Sequence, residues 1–174
     1  MRYIDKATGR FLPSEKREFS QELLKDLFEY RDGFLYRKTS PAHNAPVGSK
    51  AGSLGTNGYW YVSVQHKKFL LHRLIWLYHH GYLPKYLDHK DGNPLNNDIK
   101  NLRECNLSQN LANAKCKTKS GLPKGVIRNG KNFGARLKVN GKKHWLGTYH
   151  TVELAKECYD CAAELAYGEF ARSV

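Results

Sequence analysis

The sequence predicts an α+β fold made of two small modules, and three patterns carry this prediction. Stretches in which apolar and polar residues alternate, with turn residues between them, indicate short antiparallel strands. Apolar residues that recur at helical spacing indicate amphipathic helices. No acidic residue lies between Glu104 and Glu153, which sets the second module apart by charge. The predicted divisions are a flexible lead at 1–19, an N-terminal module at 20–114, a basic linker at 115–121 and a C-terminal module at 122–174.

The elements of the N-terminal module follow from local signals. Ser20 is placed to cap a helix whose apolar face runs from Leu23 to Phe28. The remaining elements, in chain order, are a strand at 34–36, a loop at 39–58, a hairpin of strands at 59–64 and 69–71, and a helix at 72–80 that Gly81 ends.

The composition of the chain indicates which classes of partner it can bind. Its 29 Lys and Arg against 16 Asp and Glu give a formal charge of +13, which suits a polyanion such as nucleic acid. No uncharged stretch reaches the roughly 18 residues of a membrane span, and the N-terminus lacks a signal-peptide core, so we expect a cytoplasmic protein. Only Cys158 and Cys161 form a CxxC pair, and they lie in an alanine-rich helical pattern. We therefore expect neither a structural zinc nor disulfides.

The C-terminal module is predicted to be a three-stranded antiparallel sheet packed on one helix. Asn140-Gly141 is the strongest hairpin signal in the chain, and a helix is expected from Thr151 to Tyr167. Before the turn, Arg136 and Lys138 alternate with apolar residues, so one face of the sheet is basic and the other apolar. The helix would cover the apolar face and leave the basic face free for a DNA groove. The alternative is a solvated charged face with no ligand.

The stretch 87–113 has the composition of a site. It places Asp88 next to His89 and continues through a Gly- and Asn-rich loop to a predicted strand at 102–105 and a helix capped by Ser108. So many short polar side chains gain nothing in a core. Carboxylate and carboxamide oxygens suit Mg²⁺, and a neighbouring imidazole suits a general base, which together fit phosphodiester hydrolysis. The alternative is that Asp88 and His89 only hydrogen-bond the turn.

These residues resemble the HNH homing endonucleases with the ββα-metal fold, above all the phage-encoded group with the pattern DHxDGNxxxNxxxNLR. The resemblance covers about 58–114 and includes the preceding segment LLHRLIWLY. It implies that His89 activates water, that Asp88 and Asn110 hold one Mg²⁺ or Mn²⁺ ion, and that Asn101 braces the loop. Asn110 departs from the commoner His, which speaks against tight zinc binding, and Arg103 is either a surface strand residue or a phosphate contact.

Two further residues near this motif are open to more than one interpretation. Asn113 is a reserve metal ligand or a solvated helix residue. His72, at the start of a hydrophobic helix, is expected to make a structural hydrogen bond rather than to act in catalysis. His79 and His80 are expected at the surface.

The stretch 122–171 resembles the ethylene-response-factor (Apetala) type of DNA-binding domain. The matching pattern runs from the GV that opens the first strand, through WLGTY, to YDCAA in the helix. The resemblance implies that the sheet face contacts double-stranded DNA. Ile127 stands where that family often has Arg, so we expect Arg128 or Lys131 to compensate, and Trp145 could equally be a core residue. The DNA contacts expected in this module are Lys124, Arg128, Lys131, Arg136, Lys138, Lys143 and Trp145.

The sequence therefore predicts a two-module, metal-dependent HNH endonuclease of the homing type. The resemblance implies that it leaves 5′-phosphate and 3′-hydroxyl ends on double-stranded DNA, in the host cytoplasm if a phage encodes it, without a membrane partner. Whether it acts as a monomer or a homodimer stays open. One alternative is a non-catalytic DNA-binding regulator with a decayed HNH unit, and a further one, resting on charge alone, is an RNA-binding structural protein.

Overall fold

The structure, a computed structural model, describes residues 19–40, 45–115 and 120–172. Helix α1 (Gln21–Leu27) begins where predicted, because the Ser20 side chain accepts a hydrogen bond from the backbone of Leu23. Phe28, expected on the helix, instead begins a strand. The lead predicted at 1–19 lies outside the described residues except for Phe19, whose ring stacks on Phe69 at 4.4 Å, so this residue is packed rather than flexible.

Strands β1 (Phe28–Arg31) and β2 (Phe34–Arg37) form a hairpin, of which only the second strand was predicted. The loop expected at 39–58 also contains a short strand, β3 (Ser53–Leu54), which pairs with β4 (Trp60–Val64). The predicted hairpin is confirmed as β4 and β5 (Lys67–Leu70). Helix α2 (Leu71–His80) follows directly and ends at Gly81 in the left-handed conformation, as predicted.

The core of the N-terminal module forms around α2. Leu71, Leu74 and Ile75 are fully buried on this helix, and they pack with Leu24 of α1 and Leu35 of β2. This apolar base holds the next hairpin, β6 (Tyr86–His89) with β7 (Leu102–Cys105), against the module. A single 3-10 turn (Ile99–Asn101) leads into β7.

Helix α3 (Leu107–Asn113) follows β7, and its cap lies two residues before the predicted cap at Ser108. Asn106 is the cap because its side chain accepts from the backbone of Gln109, whose side chain in turn accepts from the backbone N–H of Asn106. This reciprocal pair satisfies two backbone donors that a serine at position 108 would leave free. The prediction of Ser108 as the cap is therefore wrong.

The C-terminal module has the predicted three-stranded antiparallel sheet packed on one helix. Its strands are β8 (Val126–Asn129), β9 (Asn132–Val139) and β10 (Lys142–Tyr149), with β9 in the centre. Asn140 and Gly141 both have positive φ, as a two-residue hairpin turn requires. Helix α4 (Val152–Tyr167) begins after Thr151 and buries Ala155, Tyr159 and Ala163 against the sheet. A 3-10 turn (Gly168–Phe170) follows α4.

The two modules touch one another through α3. The Lys124 ammonium donates to the carbonyls of Leu111, Ala112 and Ala114 at the C-terminal end of that helix. The Ser108 hydroxyl accepts from the backbone of Asn140 at 3.0 Å. Part of the predicted flexible linker, 116–119, falls outside the described residues, but the modules on either side of it are held together by these contacts.

None of the helices described in the structure is long and apolar enough to cross a membrane. Cys105, Cys158 and Cys161 are free thiols, and Cys116 lies outside the described residues.

Candidate active site

The β6–β7 hairpin places Asp88 and His89 at the end of a strand, as expected, although both are paired within the hairpin. Asp88 lies opposite Arg103, and His89 lies opposite Leu102. Both side chains are buried, with 6% of Asp88 and 7% of His89 exposed. Burying a carboxylate is costly unless it is paired and hydrogen-bonded, and the structure supplies partners from two directions.

Arg103 and Asn113 are the partners of Asp88. The Arg103 Nε and Nη2 atoms lie 3.0 and 2.9 Å from Asp88 Oδ2, so Arg103 is buried and the alternative of a surface strand residue is wrong, whereas its contact with a DNA phosphate stays a prediction. Asn113, only 4% exposed, donates from Nδ2 to both Asp88 oxygens at 2.9 Å and to the carbonyl of His89 at 2.7 Å. It is therefore not a solvated helix residue, and its amide nitrogen rather than its oxygen faces Asp88.

These contacts leave one oxygen of Asp88 less engaged than the other. Oδ2 accepts from both Arg103 and Asn113, whereas Oδ1 accepts from Asn113 alone and keeps a lone pair. A hard divalent ion fits this oxygen, with the remaining positions taken by water and phosphate. The described residues contain no group of three or more His, Cys, Asp and Glu side chains arranged to hold a metal.

Asn110 lies on α3 one turn before Asn113, and it is half-buried. Residues three apart share a face of a helix, so Asn110 is on the side of α3 that carries Asn113 to Asp88. Its side chain makes no hydrogen bond with any described residue, which leaves its carboxamide oxygen available. The structure thus brings Asn113 into contact with Asp88, and Asn110 lies on the same face of α3.

His89 is oriented by Asn97, an asparagine that the pattern DHxDGNxxxNxxxNLR contains but that was not among the predicted site residues. The His89 Nε2 atom lies 3.2 Å from Asn97 Oδ1, and Asn97 Nδ2 donates to the carbonyl of Leu95. This second bond turns the Asn97 oxygen toward His89, so Nε2 carries the proton and Nδ1 is the acceptor. Burial lowers the pKa of His89, which keeps the imidazole neutral at physiological pH.

His72 of α2 packs directly on this imidazole. Its ring meets that of His89 edge-on at a centroid distance of 5.0 Å and lies 5.7 Å from the ring of Tyr59. Burial, with smaller contributions from the charges of His89 and Arg73, lowers the pKa of His72 to about 3. The hydrogen bond expected for His72 is not among its contacts with the described residues. His72 instead contacts His89 by packing one imidazole ring against the other.

Asn101 makes hydrogen bonds within the loop that follows His89, and its main side-chain partner is Asp91. Asn101 Nδ2 donates to Asp91 Oδ1 at 3.0 Å and to the carbonyl of Asn96 at 2.8 Å. The Asp91 carboxylate also accepts from the backbone of Asn93 and the side chain of Asn96. Asp91 therefore organises a loop whose polar residues were expected to be a site in themselves.

The basic face of the C-terminal sheet is exposed as predicted. Arg136 lies opposite Trp145, and Lys138 lies opposite Lys143, so the four side chains occupy one face of β9 and β10. Trp145 is 55% exposed and covers Gly134, where a Cβ atom would stand 2.2 Å from the indole ring. Trp145 is thus a surface residue rather than a core residue.

The other three residues expected to contact DNA lie elsewhere. Lys124 is engaged with the carbonyls of α3. Arg128 stands over the ring of Phe133 at 5.1 Å, on an exposed edge of the sheet. Lys131 is exposed in the β8–β9 turn. These positions separate Lys124, Arg128 and Lys131 from the basic face.

The sequence of this chain is similar to proteins described as HNH endonucleases. Residues 69–112, from β5 into α3, match the family described as HNH endonuclease, and the matched segment carries Asp88 and His89. A relative from Acanthamoeba polyphaga mimivirus, named uncharacterized HNH endonuclease L560, is 39% identical over 122 residues. The aligned region is 68% of this chain and 63% of the relative, so the chain spans less than two thirds of that protein's length. No solved structure gives a significant match. Both matches support a nuclease.

Proposed function

We propose that this protein is an HNH endonuclease of the homing type, which hydrolyses phosphodiester bonds of double-stranded DNA with one Mg²⁺ or Mn²⁺ ion. The observation that carries the proposal is the orientation of His89. Its Nε2 atom faces Asn97 at 3.2 Å, and its Nδ1 atom is left as a proton acceptor within a segment that matches HNH endonucleases. A neutral, oriented imidazole is what a general base for water requires. The protein would act in the cytoplasm of a host cell.

Asp88 Oδ1 and the Asn110 carboxamide oxygen are the protein groups that would hold the ion. When bound, such an ion stabilises negative charge on the phosphate and on the leaving oxygen. The other steps belong to the chain itself. His89 takes the proton from the attacking water, Asn97 keeps its ring in the productive tautomer, and Asn101 with Asp91 holds the loop that presents it. Attack of water on phosphorus, with the 3′ oxygen leaving, gives 5′-phosphate and 3′-hydroxyl ends.

The C-terminal sheet would supply most of the affinity for DNA. Its exposed face carries three cations and an indole, and it resembles the ethylene-response-factor type of DNA-binding domain. Cations on a flat sheet face suit the phosphates that flank a major groove. We therefore propose that Arg136, Lys138, Lys143 and Trp145 contact duplex DNA.

Plasmid cleavage with matched histidine variants tests this function. The wild-type protein should nick or linearise supercoiled DNA in Mg²⁺, and EDTA should abolish the reaction. His89→Asn should remove cleavage, whereas His66→Asn, in the exposed β4–β5 turn, should retain it. If the products carry 5′-phosphate and 3′-hydroxyl ends, DNA ligase alone will reseal them.

A second candidate is the non-catalytic DNA-binding regulator. It is favoured by the ion pair between Arg103 and Asp88, which already occupies one oxygen of the proposed metal ligand. If wild type and His89→Asn both shift DNA in a gel and neither cuts it under any metal condition, the regulator is correct and the nuclease proposal is wrong.

A further inference from the structure

The end of the C-terminal module returns to the nuclease hairpin. The Arg103 guanidinium lies over the ring of Phe170 at 3.7 Å, and its Nη1 atom donates to the carbonyl of Glu169 at 2.9 Å. The Tyr167 hydroxyl, at the end of α4, lies 3.4 Å from the Ser108 hydroxyl of α3. Residues 167–172, here called the return segment, are thus fixed against the partner of Asp88 although they are more than 60 residues away in sequence.

Arg172, within this segment, contacts the loop that follows His89. Its Nη1 atom stands over Gly92, where a Cβ atom would lie only 1.7 Å away. Gly92 itself closes the turn at His89, because its backbone N–H donates to the His89 carbonyl at 2.8 Å. The return segment therefore meets the site at two points, Arg103 beside Asp88 and Gly92 beside His89.

One donor of the Arg172 guanidinium, Nη1, is not satisfied by the described residues. This atom is buried and has no hydrogen-bond partner among them. No carboxylate of the described residues lies within ion-pair distance of Arg172, whereas Arg103 pairs with Asp88 and Glu169. A buried donor without a partner is costly, and a cationic one more so, unless a ligand completes it. The missing partner at this position is an anion.

We infer that Arg172 binds a phosphate of the DNA at the nuclease site, so that the C-terminal module contributes a residue to the site of the N-terminal module. This inference rests on the proposed function, because the anion is taken to be the DNA backbone at the bond to be cut. A planar guanidinium donates two parallel hydrogen bonds to phosphate oxygens, which both orients the phosphate and stabilises its charge. Arg172 would thereby hold the phosphate in reach of the water that His89 activates.

Single-turnover cleavage of a linear duplex tests the role of Arg172 directly. Arg172→Gln should slow cleavage about ten- to a hundredfold at saturating protein, because a charge-assisted hydrogen bond to the reacting group is lost. Arg172→Lys keeps the positive charge but cannot make two parallel hydrogen bonds to the phosphate, so it should retain only part of the wild-type rate. Lys25→Gln, which removes one charge from the exposed side of α1, is the matched control and should cleave as wild type does.

The salt dependence of DNA binding is an independent readout. In the inactive His89→Asn background, adding Arg172→Gln should reduce the slope of log affinity against log salt by about 0.9, the value for one phosphate contact. An unchanged midpoint of urea unfolding would show that the loss is not one of folding.

The outcomes separate this inference from the proposed function. If wild type cuts and Arg172→Gln cuts equally fast or faster, Arg172 does not bind the phosphate. A faster rate for the variant would show that the return segment hinders DNA binding. If wild type does not cut at all, the proposed nuclease fails, and the salt slope alone then decides whether Arg172 binds a phosphate. An unchanged slope overturns the inference in either case.

Discussion

The burial of His72 predicts how the stability of this protein depends on pH. Its pKa is about 3 in the folded protein and 6.5 in the unfolded chain, since burial next to His89 disfavours the charged ring. Between these values the unfolded state binds more protons than the folded state, so the free energy of unfolding falls as the pH drops. From about pH 7 to about pH 5, His72 alone should account for a loss of about 2 kcal/mol.

Urea unfolding of His72→Phe at a series of pH values measures this contribution. Phenylalanine keeps an aromatic ring against His89 but cannot take up a proton, so the variant should lose about 2 kcal/mol less than wild type over the same range. His144→Phe, at an exposed position of β10, is the control and should follow wild type. Parallel pH profiles for wild type and His72→Phe would refute the argument, because they would mean that the folded protein accommodates a charged His72.

Four further outcomes follow from the site. Replacing Arg103 with methionine should destabilise the protein by about 3–5 kcal/mol, because Asp88 would be left buried without its cation, and a urea midpoint like that of wild type would contradict this. Asn97→Ala should lower the rate of cleavage about tenfold or more without weakening DNA binding, since the His89 ring loses its orientation. Lys138→Ala and Lys143→Ala should each reduce the salt slope of binding by about 0.9, and equal slopes would remove that residue from the DNA interface. Chelation should stop cleavage reversibly, with activity returning when Mg²⁺ is added.

Local elements of this fold could be predicted because their signals are local. Asn140-Gly141 specifies a two-residue turn by its positive φ angles, and Gly81 ends α2 for the same reason. The helix cap was misplaced because Asn106 and Ser108 both have side chains suited to capping, and only the reciprocal bond with Gln109 decides between them. The strand at Phe28 was missed because an apolar residue at helical spacing fits α1 equally well.

The partners of the site residues could not be predicted in the same way. The sequence pattern singled out Asp88, His89 and Asn101, but it contains nothing that pairs Asp88 with Arg103 across the hairpin or with Asn113 on α3. Such pairings depend on strand register and on how α3 packs, which are properties of the whole module. The contact between Arg103 and Phe170 joins two modules, so no sequence pattern within either module alone predicts it.

If Asp88 holds a metal ion as proposed, its ion pair with Arg103 predicts that the metal and DNA bind cooperatively. Arg103 lies 2.9 Å from the carboxylate that would hold the ion, so a divalent cation entering alone meets a fixed positive charge. A DNA phosphate supplies negative charge to both Arg103 and the metal ion. By linkage, bound DNA then raises the affinity for the metal, and bound metal raises the affinity for DNA. Mn²⁺ titrations of the His89→Asn protein should therefore give tighter binding with uncut duplex than without it, by about tenfold, a typical coupling of 1.4 kcal/mol. Equal Mn²⁺ affinity in the two titrations would show that Arg103 moves away from Asp88 before the ion arrives.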